Sequence, residues 1–144
     1  MANDNVDVMN SFLRGEISAV ETYRQALDKI GGVGPTRSTL EECLQSHQQR
    51  VDTLRSQVRR LGGSPSEGSG PWGAFAKLIE GGAKLFGEKS AIAALEEGED
   101  HGRDDYRRDV AKLDGETKAL VKSKIMPEQE RTHRALSDLK RALA

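Results

Sequence analysis

Two distant copies of one short pattern constrain the fold of this chain more than any other feature. The stretch from Gly15-Glu16 to Tyr23-Arg24 returns as Gly98-Glu99 to Tyr106-Arg107, with the same spacing after a shift of 83 positions (99 minus 16). A duplicated helical unit is the simplest explanation of such a repeat. The chain is therefore expected to consist of two similar halves.

In each copy the glutamate falls on the apolar stripe of its own helix. Around the first copy the stripe recurs in alternating steps of three and four, which is typical of a bundled helix. Its members are Val6, Met9, Leu13, Glu16, Val20, Tyr23, Leu27 and Ile30, and Glu99 has the same place among Ile92, Leu95, Gly102, Tyr106, Val110 and Leu113. Burying a carboxylate without a partner, a proton or a metal costs several kcal/mol or more. Both glutamates are therefore predicted to have partners inside a bundle.

Turn residues divide the 144-residue chain into four long helices, predicted at about 4–30, 37–61, 90–113 and 117–142. The sequence between the second and third helices is rich in Gly, Ser and Pro, and it is predicted to be a long crossover with a short helix at about 73–85 that Trp72 docks on the bundle. Pro127 is expected to kink the last helix. These features predict one all-α domain over residues 1–144, an antiparallel four-helix bundle of two repeated helix pairs.

Charge and composition restrict the partners and the compartment. The net charge of −1 offers no excess of positive charge to neutralise phosphates, so nucleic acid is not expected as a partner. No apolar run approaches the ~20 residues that cross a bilayer, and no secretory segment follows Met1. With Cys43 as the single cysteine, the chain is predicted to be cytoplasmic and free of internal disulfides. A homodimer is the expected assembly.

Polar residues on the four apolar stripes form the candidate site. They are Glu16, His47, Glu99, Glu130 and His133. Glu130 and His133 are three residues apart, which is the Glu-x-x-His spacing that binds iron or manganese in bundle cores. Carboxylate and imidazole ligands together suit iron, manganese or zinc. These five residues are therefore a candidate metal site, and the alternative is that they are buried and hydrogen-bonded to one another.

The chain resembles the ferritin-like superfamily, and within it the DUF2383 group of four-helix proteins. The likeness lies in the two Gly-Glu…Tyr-Arg copies, in Leu61-Gly62-Gly63-Ser64-Pro65, in the Gly-rich crossover with Trp72, and in the run Ala91–Leu95 before Gly98-Glu99. It implies a rubrerythrin-type pattern, with Glu16 and Glu99 as ligands, Tyr23 and Tyr106 beside them, and His47, Glu130 and His133 from the other helices. Leu44 stands where that pattern has a glutamate, so the set of ligands is incomplete.

Two interpretations of function follow, and the sequence does not decide whether the protein is an enzyme. In the first, the bundle binds iron or manganese and acts on oxygen or peroxide. In the second, no cofactor is bound, the interior polar groups bond to one another and fix the register of the helices, and the bundle dimerises or docks a partner through its helical faces or the Trp72 region.

Overall fold

The computed structural model describes residues 2–30, 32, 34–69 and 87–143, and these residues form four long helices without a strand. Helix α1 is Ala2–Ile30, α2 is Pro35–Arg60, and α3 is Gly87–Asp109, which continues as a 3-10 turn over Val110–Lys112. Helix α4 has three consecutive segments: α-helical Gly115–Leu120, π-helical Val121–Ile125 and α-helical Met126–Ala142. The all-α prediction is confirmed. The predicted short helix at 73–85 and Trp72 lie outside the described residues.

Proline and glycine set the ends of α2. Pro35 stands in its first turn, where a missing N–H costs no intrahelical bond. At the other end Gly62 has a positive φ of 83°, a conformation that suits glycine after a helix. The N–H groups of Gly62 and Gly63 donate to the carbonyl oxygens of Arg59 and Val58, so the last turn is closed.

Hydrogen bonds between the helices show their relative directions. Asn10 donates to the carbonyl oxygen of Ser64, and Arg37 donates to that of Leu27, so α1 and α2 run in opposite directions. Helices α1 and α3 also run in opposite directions, because the bonded pairs are Tyr23 with Glu99 and Glu16 with Tyr106. Helices α2 and α4 are antiparallel as well, with the bonded pairs Ser46 with Glu128 and Gln57 with Thr117.

The apolar interior consists of two clusters with polar residues between them. The first includes Met9, Leu13, Leu54, Val58, Val110, Val121 and Ile125, and the second includes Leu27, Leu40, Ile92, Leu95 and Leu136. In α2, α3 and α4 a group of buried polar residues lies between the positions that contribute to one cluster and those that contribute to the other: Ser46, His47, Arg50, Glu99, Gln129 and Thr132. The polar layer is therefore held by apolar packing on both sides.

A π-helical turn sets the register of α4. The N–H of Met126 bonds to the carbonyl of Val121, five residues earlier, directly before Pro127. Proline cannot donate a backbone bond and crowds the preceding turn, which accounts for a distortion at this point. A π turn holds more residues than an α turn, so the side chains after it point one residue out of the α-helical phase. The buried residues of α4 are accordingly Thr117, Val121, Ile125, Gln129, Thr132 and Leu136.

Candidate functional site

Three of the five predicted site residues meet in the polar layer. His47 lies between two carboxylates, with Nδ1 2.5 Å from Glu16 Oε1 and Nε2 2.7 Å from Glu99 Oε2. All three side chains are buried, with at most 4% of any of them exposed. The two carboxylates thus bind opposite edges of one imidazole ring, and the ring separates them.

The two tyrosines of the repeat exchange partners between the halves. Tyr23 of the first copy donates its hydroxyl to Glu99 of the second at 2.5 Å, and Tyr106 of the second donates to Glu16 of the first at 2.6 Å. Burial, together with the neighbouring carboxylate, raises the pKa of each tyrosine well above 10.0. Both hydroxyls therefore keep their protons and remain donors.

Arg50 belongs to the same cluster, and the sequence analysis missed it. Its guanidinium Nη1 lies 3.3 Å from Glu16 Oε2 and 2.7 Å from Gln129 Oε1, and Nη2 lies 2.9 Å from Thr132 Oγ1. Only 2% of the side chain is exposed. A usable signal existed, because Arg50 stands three residues after His47 and four before Leu54, in step with the buried face of α2.

Gln129 and Thr132 of α4 complete the set and were also missed. Gln129 Nε2 and Thr132 Oγ1 donate to Glu99 Oε1 at 2.9 and 2.8 Å. Gly102 leaves room for this contact, since a Cβ there would lie 3.3 Å from Gln129 Oε1. The Glu99 carboxylate therefore accepts four side-chain hydrogen bonds, two on each oxygen.

The other two predicted site residues, Glu130 and His133, do not face this interior. Glu130 is 40% exposed and pairs with Arg107 at 2.8 Å. His133 lies near the surface between Asp100 and Arg103, with Nε2 2.5 Å from Asp100 Oδ1. The prediction that these two side chains point inward is wrong, because the buried face steps back from Leu136 by four and then by three residues, whereas Glu130 and His133 follow from Leu136 only by two steps of three. The residues one position earlier, Gln129 and Thr132, lie in their place.

The repeat extends to the second helix of each half. A shift of 82 positions relates His47 to Gln129 (129 minus 47) and Arg50 to Thr132. Ser46 and Glu128 are also 82 apart, and they bond to each other at 2.8 Å. Residues 82 positions apart on α2 and α4 thus contact each other in two places, Arg50 with Thr132 and Ser46 with Glu128.

The charges of the cluster balance. Burial alone would raise the pKa of Glu99, but the positive charge and hydrogen bond of His47, with help from Arg50, lower it to about 2. The pKa of Glu16 is also lowered, because Arg50 and His47 outweigh burial. Burial and Arg50 oppose protonation of His47, yet Glu99 and Glu16 raise its pKa above the ordinary 6.5. Two carboxylates therefore face one imidazolium and one guanidinium.

The cluster as it stands does not present a ligand set to a metal ion. Throughout the described ranges, no group of three or more His, Cys, Asp and Glu side chains is placed to hold one. Both ring nitrogens of His47 already bind carboxylates, and Arg50 binds Oε2 of Glu16. A cavity beside Glu16 and Tyr106 measures about 10 Å³. That volume holds roughly one water molecule.

Stability should depend on pH in a direction that these pKa shifts fix. Carboxylates with lowered pKa values stabilise the fold above their unfolded value near 4.5, and this contribution is lost as the pH falls toward about 2. His47, with a raised pKa, contributes fully below 6.5, and its contribution is lost as the pH rises through the folded value. We expect the free energy of unfolding to be greatest between about pH 4.5 and 6.5.

Urea unfolding from pH 3 to 9, compared with the variant His47→Gln, measures this dependence. The variant should lose the alkaline part of the dependence, because glutamine does not titrate. An alkaline slope that is the same in both proteins would show that His47 is not its source.

Comparison with known proteins gives one match. The model of a family described as "Domain of unknown function (DUF2383)" matches residues 4–112 of the 144. No curated protein and no solved structure matches the chain. No helix among the described residues is both long and apolar enough to cross a membrane.

Proposed function

Because the chain belongs to the DUF2383 family, a domain of unknown function, we propose its function from its own geometry: a metal-free ferritin-like bundle that acts by binding another protein chain. Arg50 is the observation that carries this proposal. Its guanidinium lies in the polar layer with His47, so the two negative charges of Glu16 and Glu99 already face two positive ones. A divalent cation would have to displace both positive groups, the imidazolium of His47 and the guanidinium of Arg50.

The helix directions and the repeat support the ferritin-like assignment. Helices α2 and α3 each run opposite to α1 and therefore parallel to each other, which supports a long crossover between them. Folds of the ferritin type have one such crossover. On this assignment the Glu-x-x-His positions of the second helix are Leu44 and His47, and their equivalents 82 positions on are Met126 and Gln129. Three of these four positions therefore lack the ligand that the pattern requires.

The closed interior supports a function at the surface. The cavity that reaches Glu16 and His47 has the size of about one water molecule, and the cluster itself is more than nine-tenths buried. A catalytic site needs room for its substrate beside the reacting groups. Buried polar networks of this kind fix how helices align, which suits a rigid module with a defined binding face.

Metal content tests the proposal. Protein purified without chelator from cells supplied with iron and manganese should contain far less than one metal ion per chain. Excess Fe²⁺, Mn²⁺ or Zn²⁺ should leave the Tm unchanged, whereas a ligand at about 100 times its Kd adds about 2.7 kcal/mol to the free energy of unfolding. Elemental analysis and thermal unfolding give two independent measurements.

Two matched variants locate any metal that is found. Glu16→Gln changes a carboxylate inside the cluster, and Glu130→Gln makes the same change at the surface. Near-stoichiometric metal that disappears in Glu16→Gln but persists in Glu130→Gln would overturn the proposal. It would favour the iron or manganese interpretation, which is supported by the convergence of Glu16, His47 and Glu99.

A further inference from the structure

Helix α1 has a second row of residues on the side that faces away from its buried glutamate. Residues three and four positions apart share one face of a helix, and this row consists of Ser11, Gly15, Ser18, Thr22 and Gln25. Ser18 comes two residues after Glu16, so it points about 160° away from it. We name these five residues the outer row of α1.

The middle of the outer row is buried. Ser18 and Thr22 are both 0% exposed, although serine and threonine usually lie at the surface. Among the described residues Ser18 Oγ has no hydrogen-bond partner, and neither has the buried Oε1 of Gln25. Buried polar atoms are rarely left unpaired. These side chains are buried within a single copy of the chain, so the segment that covers them belongs to that copy.

The second copy of the repeat shows that this face of a helix is not covered in both halves. A shift of 83 positions relates Ser18 to His101 (101 minus 18) and Thr22 to Asp105 (105 minus 22). His101 is exposed and Asp105 is partly exposed. The face therefore reaches solvent on α3, whereas on α1 its residues are small and enclosed.

Residues 64–69 approach the outer side of α1 and run toward its C-terminal end. The N–H of Ser66 donates to Asn10 Oδ1 at 2.8 Å, and Arg14 Nη1 donates to Ser66 Oγ at 3.1 Å. Ser69 Oγ donates to Glu21 Oε2 at 3.5 Å, about two turns farther along α1 than Arg14. The chain at Ser69 has therefore arrived beside the outer row.

The residues after Ser69 account for the cover better than those before it. Glu67 and Gly68 are exposed, so residues 64–69 do not enclose the outer row. Trp72 follows Ser69 by three residues, which span at most about 10 Å. A tryptophan side chain can bury about 150–250 Å², which is enough to cover two small side chains.

The length of chain between Ser69 and α3 also fits. Helix α3 begins at Gly87 beside the C-terminal end of α1, where both helices contribute to one apolar cluster. The predicted helix at 73–85 would be about 20 Å long, and the length of α1 from Thr22 to Ile30 is about 12 Å. One helix laid along the outer row therefore reaches the start of α3.

We propose that residues 72–85 of the same chain dock on the outer row of α1, with Trp72 over Ser18 and Thr22. The small side chains of the row let the segment approach α1 closely. Its apolar residues share one face of a helix because they recur in steps of three and four: Trp72, Phe75 and Ile79. This side of α1 is then closed to other chains, and a partner of the bundle binds at another face. The inference does not depend on the metal content of the interior.

The fluorescence of Trp72 tests the docking, because this residue is the single tryptophan of the chain. In the wild type its emission should be blue-shifted and protected from acrylamide. Ser18→Arg should shift the emission to longer wavelength and raise the quenching constant about threefold or more, because arginine does not fit beneath a docked indole. His101→Arg, at the equivalent exposed position of α3, should change neither quantity. Circular dichroism confirms that both variants are folded.

Cross-linking identifies the chain that covers the row. Gln25→Cys/Phe75→Cys, with Cys43→Ala to remove the native thiol, should be linked within one chain by a short bismaleimide. The control replaces Gln25→Cys with Arg108→Cys, the equivalent exposed position of α3, and should give little of this product.

A Trp72 that is quenched as readily in the wild type as in Ser18→Arg would overturn the inference. So would a yield of cross-linked product no higher than that of the control. A product that links two chains would also overturn it, and it would assign the cover to a second copy.

Discussion

Glu99→Ala is expected to lower the free energy of unfolding by about 3–5 kcal/mol. The Glu99 carboxylate accepts bonds from Tyr23, His47, Gln129 and Thr132. Alanine would leave the Tyr23 hydroxyl and His47 Nε2 without this acceptor, and it would leave one of two buried cations without a counter-charge. Gln129 and Thr132 would keep only their longer bonds to backbone carbonyls, at 3.2 and 3.3 Å. Each unsatisfied buried group costs about 1–3 kcal/mol before relaxation. Equilibrium unfolding in urea measures the loss.

Two control substitutions distinguish the loss of the Glu99 charge from the effect of truncating a side chain on this helix. Glu99→Gln keeps the shape and removes the charge, so it should cost less than alanine but still destabilise, because its amide group presents hydrogens to donors. Glu97→Ala makes the same truncation at an exposed position on the same helix and should stay within about 0.5 kcal/mol of the wild type. If Glu99→Ala cost no more than Glu97→Ala, the carboxylate would not hold the layer together.

Arg50→Met should destabilise by a similar amount, about 3–5 kcal/mol, for the opposite reason. Methionine fills part of the volume but carries no charge. Glu16 then keeps only His47 as a buried positive neighbour, and Gln129 and Thr132 lose their donor. Arg59→Met, at an exposed position on the same helix, is the matched control and should be nearly neutral.

A double-mutant cycle isolates the charge effect. In Arg50→Met/Glu16→Gln the buried negative charge is removed together with its partner, so the loss should be smaller than the sum of the two single losses by about 1 kcal/mol or more. Additive losses would mean that Arg50 and Glu16 do not stabilise each other. The same urea experiment decides between these results.

The burial of the glutamates of α1 and α3 could be predicted because the apolar periodicity of these two helices is simple. Glu16 and Glu99 interrupt regular steps of three and four in two helices, and the structure buries both with their tyrosines. The repeat itself indicated that these helices would meet. Local pattern and tertiary packing agree here, which is the usual condition for a successful prediction from sequence.

The α4 residues were missed because the Glu-x-x-His spacing of Glu130 and His133 drew attention to the wrong positions of the helix. Counting backward from Leu143 through Leu139 and Leu136 in steps of four and three reaches Thr132 and then Gln129. That order of steps would have found both residues.

Arg50 was missed for a different reason. Arginine is rarely fully buried, and the sequence gives no direct sign that two distant carboxylates will balance its charge. The pairing partner, Glu16, is 34 residues away along the chain. Its spacing on the buried face of α2 and the need of Glu16 and Glu99 for counter-charges were the two signals that the sequence offered.

The ring nitrogens of His47 offer the most direct test of the central claim, that the interior is a closed and charge-balanced network. Nitrogen NMR of labelled protein at about pH 6, below the ordinary pKa of 6.5 that His47 exceeds, measures the protonation of both nitrogens with and without stoichiometric Zn²⁺. The account predicts that both nitrogens carry protons, as an imidazolium held by Glu16 and Glu99, and that zinc changes neither signal. A nitrogen that is unprotonated without zinc, or that shifts to a metal-bound position when zinc is added, would contradict it.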